Sequence, residues 1–185
     1  SETVARELFL FAHLEALKKE GGQERAIVLF LPEYDYHHER YFHLLIGTTR
    51  DRPGLLAEMT GGLAAYGIDI QEAEVHTAPG NFAFNYFNGF VSNPFDDLEK
   101  LKSALREDLE KVVSGETSVQ KVFKARNRPY RFERKQEKVL PKVIWENDST
   151  VGGNPVSVFL LHAGDRIGLL HIVSQLLAQS SINIA

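Results

Sequence analysis

The chain repeats itself. Asp51-Arg52-Pro53-Gly54-Leu55-Leu56 returns as Asp165-Arg166-Ile167-Gly168-Leu169-Leu170, an offset of 114 positions from 51 to 165. At the same offset Leu63-Ala64 returns as Leu177-Ala178, and Ile68-Asp69-Ile70 as Ile182-Asn183-Ile184. An internal repeat fixes the unit of structure before any single motif is weighed. The unit reads as apolar strand, D-R-x-G-L-L turn, amphipathic helix, short loop, second strand. Its turn falls at a helix start, where free backbone N–H groups can hold a small anion or carboxylate. That points to a small-molecule sensing module rather than a catalyst.

At 185 residues there is room for one or two small domains. No apolar run is long enough to span a bilayer, so no membrane partner is expected. Nothing at the N-terminus reads as an export signal, and a cytoplasmic location follows as the expectation. The chain has no Cys, which excludes disulfides, thiolate metal sites and Cys nucleophiles. A net charge of −4 argues against bulk nucleic-acid binding. The charge is uneven: Lys121, Lys124, Arg126, Arg128, Arg131, Arg134, Lys135 and Lys138 face only Glu133 and Glu137. This stretch reads as a solvated linker between the repeats; a docking strip for an acidic partner is the sharper alternative.

Periodicity divides the rest. Residues 3–20 read as a helix through Val4, Leu8, Phe11, Leu14 and Leu17, stopped by Gly21-Gly22. Ala26 to Leu31 reads as a strand, and Glu33 to Arg40 as a loop. Tyr41 to Thr48 is the first repeat's strand, with Asp51 as a possible cap and Pro53 suited to a helix start. Leu56, Met59 and Leu63 mark a helix face. The Gly61-Gly62 pair costs about 1 kcal/mol per Gly and suggests close approach of another backbone. Ile68 to Thr77 and the Phe82–Phe84–Tyr86 segment read as a hairpin about Ala78-Pro79-Gly80-Asn81. Asn93-Pro94 reads as the opening of a helix striped by Leu98, Leu101, Leu105, Leu109 and Val112. Val119 to Phe123 is expected as a closing strand. The order predicted is βαββαβ: an α+β, ferredoxin-like antiparallel sheet with helices on one face. Val143-Ile144-Trp145 and Val156 to Leu161 read as strands of the second copy, which is incomplete. Half a repeat leaves a sheet edge unpaired, so the expectation is a piece of a longer chain. The domains expected are 1–40 as a lead-in helix and strand, 41–124 as the first unit, 125–154 as the basic linker and 155–185 as part of the second.

Two such units with D-R-P-G-L-L at the first strand–helix turn resemble tandem ACT domains, modules that bind amino acids at interfaces between paired domains. Phe95-Asp96-Asp97 with its leucine stripe, Ser114-Gly115, and Pro141-Lys142-Val143 leading into Trp145-Glu146-Asn147-Asp148-Ser149 resemble the ACT-bearing end of the bacterial uridylyltransferase family. The helix around Ala5 and His13 resembles the segment preceding it. The resemblance implies glutamine as effector and the P-II nitrogen signal protein as partner of the parent enzyme. It also implies ACT–ACT pairing or a homodimer, and no cofactor in this chain, the parent's catalytic domains using Mg and UTP. Neither the family's transferase motif nor its His-Asp hydrolase pair occurs here, so no catalytic residue is assigned. Ile167 replaces the expected Pro, and Ala163-Gly164 precedes the second aspartate.

The ligand-binding candidates are Asp51, Arg52, Pro53, Gly54, Leu55 and Leu56, with Asp165, Arg166, Gly168, Leu169 and Leu170 in the second copy. A ligand carboxylate suits the helix start, where Gly54 and Gly168 let it approach the main chain. Asp51 and Asp165 read first as caps, with pairing to a ligand ammonium as the alternative. Ile70 and Gln71 are placed beside the turn, Gln71 facing a side-chain amide. No metal is expected: His37, His38 and His43 lack the helical spacing of a zinc site. The alternative function is an ACT dimerisation or regulatory tail of another enzyme, an alarmone synthetase or an amino-acid biosynthetic enzyme, with a different effector.

Overall fold

The computed structural model describes residues 2–31, 41–92, 95–126, 140–151, 154–182 and 184. They fall into two units, Ser1–Tyr130 with Ile167–Ala185, and Arg131–Arg166. The 33–40 loop, the Asn93-Pro94 cap and most of the basic linker lie outside the described residues. Among those described, no helix is long and apolar enough to cross a membrane.

The larger unit is built on a four-stranded antiparallel sheet. Its strands are β1 (Ala26–Leu31), β2 (Tyr41–Thr48), β3 (Ile68–Ala78) and β4 (Phe82–Val91), in the order β1-β2-β4-β3. Period-2 alternation sends Phe42, Leu44 and Ile46 to one face and Leu45 to the other, and all four are buried. Buried faces on both sides make β2 nearly all apolar, the pattern of a central strand.

On one face lie helices α2 (Leu55–Ala65) and α3 (Leu98–Val113). Helix α3 buries Leu105, Leu109, Val112 and Val113, and Arg106 Nε donates to the Val28 carbonyl at 3.1 Å. Its N-cap is Asp97, whose carboxylate accepts from the Lys100 amide at 3.1 Å. On the other face lies α1 (Glu2–Glu20). Leu10 and Leu14 are fully buried against Leu45 and Phe82, while Leu8, placed on the sequence stripe, is 65% exposed. Of the predicted stripe, Leu14 and Phe11 do face the core and Leu8 does not, while Leu10 joins them. A Cβ on Gly47 would stand 2.8 Å from both leucines, so glycine permits this close docking.

The expected closing strand is a helix. Val119–Ala125 forms α4, capped by Ser118, which accepts from the Lys121 amide at 3.4 Å. Val119, Val122 and Phe123 sit at helical spacing, and the latter two are buried. Their β-branched and aromatic character suggested a strand, but the cap and spacing prevail. The edge position beside β2 is filled instead by β1, from before the repeat, pairing Val28 with Ile46.

The smaller unit is a hairpin of β5 (Lys142–Val151) and β6 (Asn154–His162), with Trp145 opposite Phe159. Adding the offset of 114 to β2 lands on β6, so each repeat strand pairs with the strand before it.

The repeat reappears in three dimensions within the larger unit. Helix α5 (Leu169–Gln179) packs on α2. His171 Nδ1 lies 2.7 Å from the Ala57 carbonyl, and Thr60 Oγ1 lies 3.4 Å from Ser174 Oγ. Both pairs are separated by 114 residues, the offset of the repeat. Equivalent positions of the two copies therefore touch, the signature of a two-fold pairing. A Cβ on Gly61 would meet Val119 at 2.6 Å and the His171 ring at 2.7 Å, and one on Gly62 would meet Leu109 at 2.6 Å. What approaches this glycine pair is side chains, not the backbone that the sequence suggested.

Candidate functional site

The first D-R-x-G-L-L turn is pinned from both sides. Thr49 accepts from the Arg25 amide through Oγ1 at 3.0 Å and donates its own amide to the Arg25 carbonyl at 3.0 Å. The Asp51 amide donates to the Asn81 carbonyl at 2.8 Å, and Asn81 Nδ2 returns a bond to the Asp51 carbonyl at 3.1 Å. Thr77 Oγ1 donates to the Asp51 carboxylate. Asp51 is therefore a turn anchor and not the helix cap. The cap position belongs to Gly54, in the left-handed region at φ 90, with no side-chain cap. Gly168 repeats this at φ 83, also with no side-chain cap. Only glycine enters this region without strain. The Leu55 amide donates to the Arg52 carbonyl at 3.2 Å, and no side chain caps either helix start, where the positive end of the helix dipole lies.

Arg52, beside that turn, is held by two carboxylates. Its Nε donates to Glu24 at 2.6 Å, and its terminal nitrogens grip Glu58 at 3.1 and 2.6 Å. Burial opposes its charge, but hydrogen bonds and Coulomb attraction from Glu58 and Glu24 outweigh this and hold the guanidinium above its ordinary range. Burial also pushes the Glu58 carboxyl upward, with Arg52 opposing. The two parallel contacts to Glu58 form a bidentate, charge-assisted pair. Pro53 is exposed, and Leu55 and Leu56 are buried at the head of α2.

A cleft opens at this helix start. It is lined by Asp51, Gly54, Leu55 and Ala57 of the turn, by Val75 and Asn85 of the sheet, and by Ser174, Ile182 and Ile184 of the second copy. Its volume is about 10 Å³, room for a single water. Asn85 is 1% exposed and its Nδ2 has no hydrogen-bond partner. Sequence reasoning missed Asn85 because the Phe82–Tyr86 alternation read as one buried and one polar face. Both faces are covered, so Asn85 shares the inner face with Phe87.

Ile70 and Gln71 are not brought to the turn. An 11-residue helix carries the chain about 16 Å from its start before β3 begins. The part of β3 that returns to the turn is therefore Val75 and Thr77. Gln71 is exposed, at a register shift between Ile70 and Glu72. In the second copy, Gly168, Leu169 and Leu170 repeat the glycine-capped helix start, and Leu169 and Leu170 are half-buried. Asp165 is exposed, and Arg166 Nε is buried without a partner. His43 packs its ring against Tyr41 at 4.8 Å, and no cluster of metal ligands occurs among the described residues.

An antiparallel sheet with a glycine-capped helix start, paired helix-to-helix with its own repeat, makes a small α+β module. Residues 43–110 match the family model of the ACT domain. Over 138 residues the chain is 27% identical to the bifunctional uridylyltransferase/uridylyl-removing enzyme of Azospirillum brasilense, covering 73% of this chain and 14% of that protein. Over 140 residues it is 27% identical to the enzyme of the same description from Gluconobacter oxydans (strain 621H), again 73% and 14%. The matched region thus spans a small part of each relative's length. No solved structure matches the chain.

Proposed function

We propose that this chain is the amino-acid-sensing regulatory region of a uridylyltransferase/uridylyl-removing enzyme, with glutamine as its effector. Ligand occupancy would set the balance between adding uridylyl groups to the P-II signal protein and removing them, in the cytoplasm. Catalytic domains outside this sequence would use Mg and UTP. The observation that carries the reading is the doubled, uncapped, glycine-led helix start, Gly54 and Gly168, on helices that pack through equivalent positions. A ligand carboxylate suits such a start, and pairing of the two copies offers a way for one site to report on the other. The similarity to the two uridylyltransferases supports the nitrogen-signalling context.

The test is thermal unfolding with each of the twenty amino acids at millimolar concentration. A ligand at one hundred times its dissociation constant adds about 2.7 kcal/mol, a shift on the order of 5–10 °C for a chain of this size. Glutamine alone should give the shift. A shift with another amino acid instead would move the effector and the parent enzyme, and a flat response to all twenty would leave a pairing module without a sensor.

A further inference from the structure

We infer that Asn85 reads the side-chain amide of the effector at the Gly54 helix start, and so sets the preference for glutamine over glutamate. This rests on the amino-acid reading above and names the residue that gives it selectivity.

Strand β4 brings Asn85 to this place. Alternation puts it on the inner face, with Ile46 of β2 on one side and Val75 of β3 on the other. Its neighbours on that face along β4 are Ala83 and Phe87, both buried. A primary amide in such surroundings costs free energy unless its polar ends are paired. Asn85 is 1% exposed, and its Nδ2 has no acceptor among the described residues. The void it borders is the helix-start cleft, and a cleft of about 10 Å³ leaves its lining atoms little exposure. The other polar side chains on that cleft are committed. Asp51 accepts from Thr77, Arg52 is held by Glu24 and Glu58, and Ser174 Oγ donates to the Leu170 carbonyl at 2.7 Å. Asn85 alone keeps a donor to give.

What Nδ2 lacks is an acceptor, while Oδ1 of the same group can accept. A second primary amide supplies both, and the two amides can join head to tail by two hydrogen bonds. A carboxylate supplies acceptors only. It would set an oxygen against Oδ1, and its charge would be buried without a free cation, because Arg52 already holds two carboxylates. An apolar side chain would leave Nδ2 unpaired. With the ligand carboxylate at the Gly54 helix start, the side chain that Asn85 selects is therefore a carboxamide. Ile182 and Ile184 of the second copy form another wall of the cleft, which as it stands holds one water. A larger occupant has to move that wall, so binding at Asn85 is tied to the pairing of the two copies.

The test is calorimetric titration of the full chain with glutamine and with glutamate, for the parent, Asn85→Ala and Asn85→Leu, the last keeping the branched shape. Both variants should bind glutamine about tenfold more weakly, the scale of one or two neutral hydrogen bonds, and lose the preference over glutamate. Without ligand, Asn85→Leu should melt no lower than the parent, because it removes an unpaired donor rather than a bond. An unchanged glutamine preference in Asn85→Ala would overturn this assignment while the glutamine reading stands. So would a loss accompanied in both variants by a melting temperature well below the parent's, since the amide would then be a fold residue. No saturable glutamine binding by the parent chain would overturn both readings.

Discussion

The two D-R-x-G-L-L turns have one backbone and two environments. Gly54 and Gly168 both lie in the left-handed region, at φ 90 and 83, and both start a helix with no side-chain cap. Around the first, Arg52 is clamped by Glu24 and Glu58, and Asp51 by Thr77. Around the second, Ile172 stands where Glu58 would, and Asp165 is exposed. The helices differ likewise: ten residues of α2 are buried, but only His171 and Ser174 of α5. Backbone conformation at the turn is set by a few local residues, whereas the clamp and the burial need partners from elsewhere in the chain.

The largest break in that comparison should come from a matched leucine pair. Leu63 is fully buried, and its equivalent Leu177 is half-buried. Leu63→Ala should cost about 3 kcal/mol and Leu177→Ala about 1 kcal/mol, read from denaturant midpoints. Equal losses would mean that α5 is as deeply buried as α2. Next is the arginine pair. Arg52→Ala removes a partly buried cation from two carboxylates and should cost about 2 kcal/mol. Arg166→Ala should stay within about 0.5 kcal/mol. A large loss at Arg166 would show a clamp in the second copy comparable to the first.

The glycines should show no difference. Gly54→Ala and Gly168→Ala should each cost about 1 kcal/mol, because the strain belongs to the left-handed backbone. At Gly54 a Cβ would meet Ala178 only at an ordinary 3.8 Å, so no clash adds to it. A much larger loss at one copy would show that its surroundings also depend on glycine there.

This division explains what was legible in the sequence. The repeat, both helix starts, the β3–β4 hairpin and the Leu105–Leu109–Val112 stripe are local patterns, and the structure follows them. Where the sequence misled, either a local cap was overlooked or the deciding contact was distant. Val119–Ala125 is a helix because Ser118 caps it and Val122 and Phe123 find a core. The strand beside β2 comes from Ala26–Leu31, which no repeat marks. Gln71 was placed at the turn from strand order alone, without the length of α2 that carries it away. Asn85 was hidden among aromatics because alternation cannot tell a strand covered on one face from one covered on both.

The finest contrast lies on the helix pairing itself, where Ala57 of the first copy meets His171 of the second. Burial lowers the His171 pKa from its usual 6.5, and the nearby Ala57 carbonyl opposes this only in part. Because the folded value is depressed, the unfolded chain binds more protons in the window below about 6.5. The neutral ring's contribution is therefore present above that pH and is lost as pH falls through the window. The buried carboxyls of Glu58 and Glu110 are raised and act in the opposite sense, so total stability against pH mixes the two. The difference between the parent and His171→Gln isolates the histidine. It should favour the parent more at pH 7.5 than at pH 5.5, by less than about 1 kcal/mol. A pH-independent difference would mean that His171 does not titrate differently on folding. A difference of reversed sign would mean that the Ala57 carbonyl holds an imidazolium there, making the pairing of the two copies tighter in acid.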